Sequence, residues 1–389
     1  MALEVPSKQV YLDNASTTYP KPPQVVKAVA DAVAMVSLTT GRSTTACEIN
    51  PDSIVSQTRI GLAKFFNIDT PNRVIFTYSA TDSLNTALFG MLHEGDHVLI
   101  SPLEHHAVSR AVHYLRDTRG VSFSVLPADS NGCIIPDRIS EAVKPHTNLA
   151  VISHISNVGG TIQPLKEIGE ELDRLGIPLL IDASQSAGCH KIDVKEMHID
   201  ALAAPGHKSL LGLPGSGILY LSERMNPDPF RVGGTGVKSE LFHLPPELPV
   251  FYESGTPNVL GIIALGAALT FINETGLENI ETCCNGLTER MLGELSQRPR
   301  VKIVGPADPK VRVPVISFNV DGISTAELSK LLADKYNIAN RGGLHCAPMA
   351  HEYYGTLTTG GCVRVSPAYL TPKEQVDYFF EVLDEILAS

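Results

Sequence analysis

Two neighbouring stretches decide the fold: Pro178-Leu179-Leu180-Ile181-Asp182-Ala183-Ser184-Gln185, and Ile199-Asp200-Ala201-Leu202-Ala203-Ala204-Pro205-Gly206-His207-Lys208. In each, an apolar run stops abruptly, at Asp182 in the first and at Pro205-Gly206 in the second. Runs of that length and boundary suit buried strands of a parallel sheet, with a short buried helical segment as the other pattern they allow. As strands, they bring a carboxylate and a lysine to the carboxyl edge of an open α/β sheet. That edge is where such sheets bind ligands.

The pattern continues outwards. Helices are expected over 24–35 and 54–66, separated by a polar loop over 39–45. From residue 73 the chain alternates strands (74–77, 97–101, 122–126, 149–153, 217–221) with helical segments. That alternation predicts an α/β fold with a mostly parallel, helix-covered sheet. Tyr78-Ser79-Ala80-Thr81-Asp82 turns from a strand into a helix, a place where free N–H groups and the helix dipole attract anions. Past Pro245-Pro246-Glu247-Leu248-Pro249 the texture changes. The apolar run 259–274 reads as a helix joining two lobes, and strands (313–320, 362–366) and helices (325–335, 371–387) follow. The domain expectation is therefore a large domain over 16–258 and a smaller one built from 1–15 and 259–389.

The chain has 389 residues, 43% hydrophobic and 19% charged, with a formal charge of −11. That charge argues against nucleic acid or an anionic membrane surface as the main partner, so an anionic ligand must be held by local groups. No basic-then-apolar leader and no apolar run of about 18 residues is evident, so a cytoplasmic location is expected. Seven cysteines scattered through so long a chain do not suggest a disulfide framework.

Gly206-His207-Lys208-Ser209 is not a phosphate-binding P-loop, which needs glycine directly before the lysine and another five residues earlier. No G-x-G-x-x-G follows an expected strand. Lys208 read alone is a surface lysine; beside Asp182 and His207 at strand ends it is a candidate desolvated, reactive amine. Lysine and carboxylate together are what pyridoxal phosphate requires, one for a Schiff base and one for the pyridinium nitrogen. Asp182 is alternatively a helix N-cap. His105-His106 is not read as a metal pair, because adjacent helical residues point apart and no further ligand stands at zinc-like spacing. His154 is read as a hydrogen-bonded core histidine. Asn340-Arg341-Gly342-Gly343-Leu344-His345-Cys346 describes a loop presenting a thiol beside a cation, which favours thiolate. Cys47, Cys133, Cys189, Cys283, Cys284 and Cys362 are read as buried small hydrophobes.

Together these residues resemble the class V aminotransferase superfamily, and within it the cysteine desulfurase and selenocysteine lyase group. The motifs are Tyr11-Leu12-Asp13-Asn14-Ala15, Glu104-His105-His106, Ser153-His154-Ile155-Ser156-Asn157, Asp182-Ala183-Ser184-Gln185, Gly206-His207-Lys208, Ser254-Gly255-Thr256-Pro257-Asn258 and the 341–346 loop. The resemblance implies a type I pyridoxal-phosphate transferase fold, with Lys208 carrying the cofactor and Asp182 keeping its ring nitrogen protonated. It implies His105 stacked on the ring, Asn157 and Gln185 at its 3-hydroxyl, and Thr81, His207 and Thr256 of the partner subunit at the phosphate of a homodimer. Arg364, with Asn14 and Arg341, would bind substrate, and Cys346 would take the sulfur of L-cysteine as a persulfide, for delivery to an acceptor protein. Alternatives within the resemblance are a selenocysteine lyase or cystine C–S lyase; outside it, a non-catalytic sulfur-transfer scaffold. Two positions depart from the pattern. Pro205 stands where a hydroxyl residue is common, and so does Ala80, which implies a weakened or rearranged phosphate site.

Overall fold

The computed structural model describes residues 9–35 and 51–388. The polar loop expected over 39–45, and Cys47, lie outside them. The chain opens with β1 (Val10–Tyr11), α1 (Pro23–Met35) and α2 (Pro51–Phe65). The strand–helix alternation then runs β2 (Val74–Thr77), α3 (Ala80–Met91), β3 (His97–Ile100), α4 (His106–Arg119), β4 (Ser122–Val125), β5 (Thr147–Ser153), α5 (Leu165–Arg174), β6 (Leu179–Asp182), β7 (Ala201–Pro205) and β8 (Gly217–Leu221).

These strands form one seven-stranded sheet in the order β2-β8-β7-β6-β5-β3-β4. Only β8 runs against its neighbours; the remaining pairs are parallel. The strand sequences explain why both faces are covered. In β6, Leu179 and Ile181 join one buried cluster while Leu180 joins the other, and Leu202 and Ala203 of β7 divide in the same way. Side chains alternate across a strand, so a continuous apolar run needs packing on both sides. The two deciding stretches are adjacent: Asp182 lies in register with Ser153 on one side and Ala203 on the other.

The rest comprises α6 (Val259–Thr275), α7 (Leu277–Ser296), β9 (Val301–Val304), β10 (Ile316–Val320), α8 (Thr325–Asp334), β11 (Ile338–Ala339), β12 (Arg341–Gly343), α9 (Pro348–Tyr353), β13 (Cys362–Val365) and α10 (Lys373–Ala388). Strands β12, β13, β10 and β9 make an antiparallel sheet over a separate apolar cluster that includes Phe318 and Phe379. The strand expected over 313–320 begins only at Ile316, since Pro314 has no N–H for a ladder. The N-terminal segment belongs to this region: β1 pairs in parallel with β11, and Asp13 bridges to Ser366.

Helix α6, expected to join the two lobes, is apolar around most of its circumference. Ile262, Leu265, Leu269 and Ile272 sit in the core beneath the large sheet, against α2. The approach is close: a Cβ on Gly61 would come within 2.8 Å of Leu269, and one on Gly266 within 2.5 Å of Thr58. Among the described residues no single helix is long and apolar enough to cross a membrane.

Candidate active site

A cavity of about 230 Å³ opens at the carboxyl edge of the large sheet, facing β12 and β13. Lys208, Asp182, Gln185, Asn157, His105, Thr81, His207, Arg341 and Arg364 all line it. Asp182 enters from the end of β6 with one oxygen accepting from the Ser184 N–H at 2.9 Å. Burial raises its pKa, against that hydrogen bond and the Lys208 charge. Burial conversely lowers the Lys208 ammonium to about 8, against the pull of Asp182. Each group thus lacks a partner that a protonated ring nitrogen and a carbonyl carbon would supply.

His105 caps the N-terminus of α4, its Nδ1 accepting from the Ala107 N–H at 3.1 Å. Burial, then the Lys208 charge, lower its pKa to about 3. The ring is therefore neutral, with its proton on Nε2, and its cap bond fixes its plane. Beneath it Glu104 is wholly buried, accepting from the Ser153 N–H at 2.8 Å and the Ser153 hydroxyl at 2.9 Å. Burial pushes Glu104 up to about 7.

At the anion end, Ser79 spends its hydroxyl on the Asp82 N–H as the N-cap of α3, so Thr81 carries the side-chain hydroxyl there. His207 lies within 3.1 Å of the Thr17 hydroxyl through Nδ1, and burial lowers its pKa to about 4. A neutral His207 offers hydrogen bonding but no charge. Thr256 does not line this cavity; its carbonyl accepts from the Tyr78 hydroxyl at 2.7 Å.

The opposite wall comes from the small sheet, where Arg341 and Arg364 are direct partners across β12 and β13. Arg364 is 1% exposed. It donates to Asp13 at 2.8 Å, Ser16 at 2.9 Å and the Asn157 carbonyl at 3.0 Å, while its Nε has no partner. Arg364 lines the cavity as a buried guanidinium, a group whose planar fork suits a carboxylate. Arg341 donates to Ser16 at 3.1 Å, and its Nη2 lies 3.4 Å from the Cys346 sulfur. The Cys346 loop is pinned to the site: Asn157 donates to the His345 carbonyl at 2.7 Å and the His106 N–H to the Cys346 carbonyl at 2.7 Å.

The sequence placed two features wrongly. Asn14 faces away from the cavity, its amide donating to the Ser366 carbonyl at 2.9 Å and its oxygen accepting from the Tyr19 N–H at 3.1 Å. Asn14 lines no part of the cavity and supports the wall instead. Of the cysteines read as buried, Cys284 and Cys362 are, but Cys133, Cys189 and Cys283 are only half-buried. Two features were missed. Asp13 lies inside the Tyr11–Ala15 motif and Ser16 directly after it, yet neither is singled out by the sequence reading. His345, His351 and Cys362, unremarkable in spacing, form a buried cluster with donor atoms all within 4.8 Å.

The profile of the family described as Aminotransferase class-V matches residues 10–379. The chain belongs to the class-V aminotransferase family. A probable cysteine desulfurase of Methanothermobacter thermautotrophicus is 34% identical over 382 residues, covering 97% of this chain and 94% of the relative. A cysteine desulfurase from Thermococcus onnurineus, solved in its apo form, is 27% identical with a TM-score of 0.91, covering 100% and 99%. One from Escherichia coli is 26% identical with a TM-score of 0.86, covering 99% and 96%. This class-V member carries the residues that pyridoxal phosphate needs on one cavity: an amine of lowered pKa, a buried carboxylate, a fixed neutral ring and a helix N-terminus. Pyridoxal phosphate is its cofactor.

Proposed function

We infer that the protein is a pyridoxal-phosphate-dependent cysteine desulfurase that converts L-cysteine to L-alanine and holds the sulfur on Cys346. The observation that carries this is the Cys346 thiol beside Arg341, on a loop fastened to the cavity that holds Lys208 and Asp182. When bound, the cofactor acts as an electron sink for the substrate Cα. Lys208 is the group to hold it and then to carry protons at Cα, since an amine near 8 exchanges protons readily at neutral pH. Asp182 would keep the ring nitrogen protonated, and His105, fixed and neutral, would cover one ring face. Gln185 and Asn157 would meet the 3-hydroxyl, and Thr81, His207 and the α3 N-terminus the phosphate. Arg364 would take the substrate carboxylate.

Cys346 then attacks the substrate sulfur as thiolate. The Cβ–S bond breaks, a S–S bond forms, and Cβ takes a proton, so cysteine plus one thiol yields alanine plus one persulfide. Splitting the transfer through a covalent carrier is nucleophilic catalysis. We further propose a homodimer in which Thr256 of the partner subunit reaches the phosphate, and delivery of the persulfide sulfur to an acceptor protein in the reducing cytoplasm. In this reading the cofactor-bearing domain spans 16–258 together with α6, and residues 1–15 with those beyond Gly276 form the smaller domain.

Cys346→Ala tests the reading with purified protein and L-cysteine. The persulfide should vanish and alanine release should fall by at least about a hundredfold, with cofactor absorbance unchanged. Undiminished alanine release, or pyruvate and ammonia as the products, would rule out the carrier role.

A further inference from the structure

The buried cluster beside the Cys346 loop has a definite hydrogen-bond direction. His345 Nε2 lies 3.1 Å from the Arg341 carbonyl, its Nδ1 lies 3.2 Å from His351 Nε2, and His351 Nδ1 lies 2.7 Å from the Thr356 hydroxyl. A carbonyl only accepts, so His345 must donate from Nε2. Both rings are buried, 3% and 0% exposed, and stand neutral. A neutral His345 protonated on Nε2 accepts at Nδ1, so His351 donates from Nε2 and in turn accepts from Thr356. One chain of donors therefore runs Thr356 to His351 to His345 to Arg341. It ends on the backbone of the residue whose guanidinium touches the Cys346 sulfur.

We propose that His351 and Thr356 are positioning residues for the thiol. Through His345 they close the 341–345 loop so that Arg341 and Cys346 stay together. Two features show that this loop needs holding. His345 and Cys346 both have left-handed φ, +50° and +57°, a conformation that side chains with a Cβ adopt only when their surroundings hold them there. The chain closes a ring of five residues, from the Arg341 carbonyl to the His345 side chain, and Cys346 is next in sequence. His351 is fixed independently by its N–H to the Ala347 carbonyl at 3.2 Å and its carbonyl to the Thr356 N–H at 2.8 Å. The anchor is therefore α9, not the loop.

The same atoms plus Cys362, 3.9 Å from His345 Nδ1, resemble a metal donor set. Two observations favour the relay. Burial pushes the Cys362 thiol up to about 11, against the nearby charges of Arg364 and Arg312. Those two guanidiniums oppose a further cation, and the cluster supplies three donors where a closed zinc site takes four.

The proposal rests on Cys346 being the sulfur carrier, and its test reads the thiol directly, apart from turnover. Holoenzyme is treated with iodoacetamide at fixed pH, and Cys346 alkylation is timed by peptide mass spectrometry; kcat and KM for L-cysteine are measured in parallel. His351→Leu should slow alkylation and lower kcat by about tenfold, with kcat falling more than KM rises and cofactor absorbance unchanged. His351→Gln, whose amide can still donate to His345 Nδ1, should recover to within about threefold of the parent. Thr356→Val should lie between, and decides the matter if His351→Leu fails to fold. Unchanged alkylation in His351→Leu, or equal loss in Leu and Gln variants, overturns the relay. So does stoichiometric zinc in the purified protein whose chelation reproduces the His351→Leu values.

Discussion

Pro205 is the residue where this chain departs most from the pattern that the resemblance implies. It ends β7 opposite Gly217 and lines the cavity, but it brings neither hydroxyl nor N–H to the anion end. Ser79, next to the second departure at Ala80, has its hydroxyl engaged in capping α3 and does not replace the loss. In a spectroscopic titration of cofactor-free protein, Pro205→Ser should therefore bind pyridoxal phosphate about tenfold more tightly, the worth of one charge-assisted hydrogen bond. Lys208 has its own signature. Its pKa is lowered to about 8, so the neutral, nucleophilic amine is scarce well below pH 8 and predominant above it. Cofactor capture by the apoprotein should accelerate through pH 8 and then level, and Lys208→Ala should show no visible absorbance band at any pH. A profile that fell with rising pH would contradict the assignment. Such residues were legible because strand ends can be read from apolar runs. Asn14 was misread because the chain turns directly after Asp13, and it is Asp13 that reaches Arg364.

Among elements, α6 shows what pattern reading can and cannot give. Its apolar character marked a buried helix, and the helix is there. Nothing in the run itself said which core it would enter, since a helix apolar on all sides has no face to orient it. Its place beneath the large sheet comes from contacts with α1 and α2 more than 190 residues earlier. Leu265 is completely buried there, so Leu265→Ala should cost about 2–5 kcal/mol in urea unfolding, with an unchanged m-value. The His345–His351–Cys362 cluster was illegible for the same reason. The antiparallel pairing of β12 with β13 brings Cys362 opposite Gly343, and α9 then returns His351 to the loop.

For the whole molecule, the segment after β8 is the most informative. Phe242 is fully exposed, Val232 is 76% exposed, and Phe230, Val237 and Leu241 are exposed with them. Gly255, beside Thr256, is tied to this segment through Gly234 at 2.8 Å. Large apolar side chains exposed this close together in sequence point to a contact surface. If a second copy covers them, a double Val232→Glu, Phe242→Glu variant should sediment as a monomer and lose cofactor faster than its parent, because Thr256 would no longer reach the neighbouring phosphate. A variant that sediments as the parent does would count against that face. Such a surface could not be read in advance, for unevenly spaced hydrophobes in a loop have no periodicity.

The contact of Asp13 and Ser16 with Arg364 has a consequence for biosynthesis. These partners are separated by 351 and 348 positions along the chain. A ribosome makes the first two early, and the arginine emerges last, after about twenty seconds or more of further elongation. Until then that wall lacks its buried guanidinium and has Arg341 alone. The contact that completes this wall is therefore among the last that the chain can make.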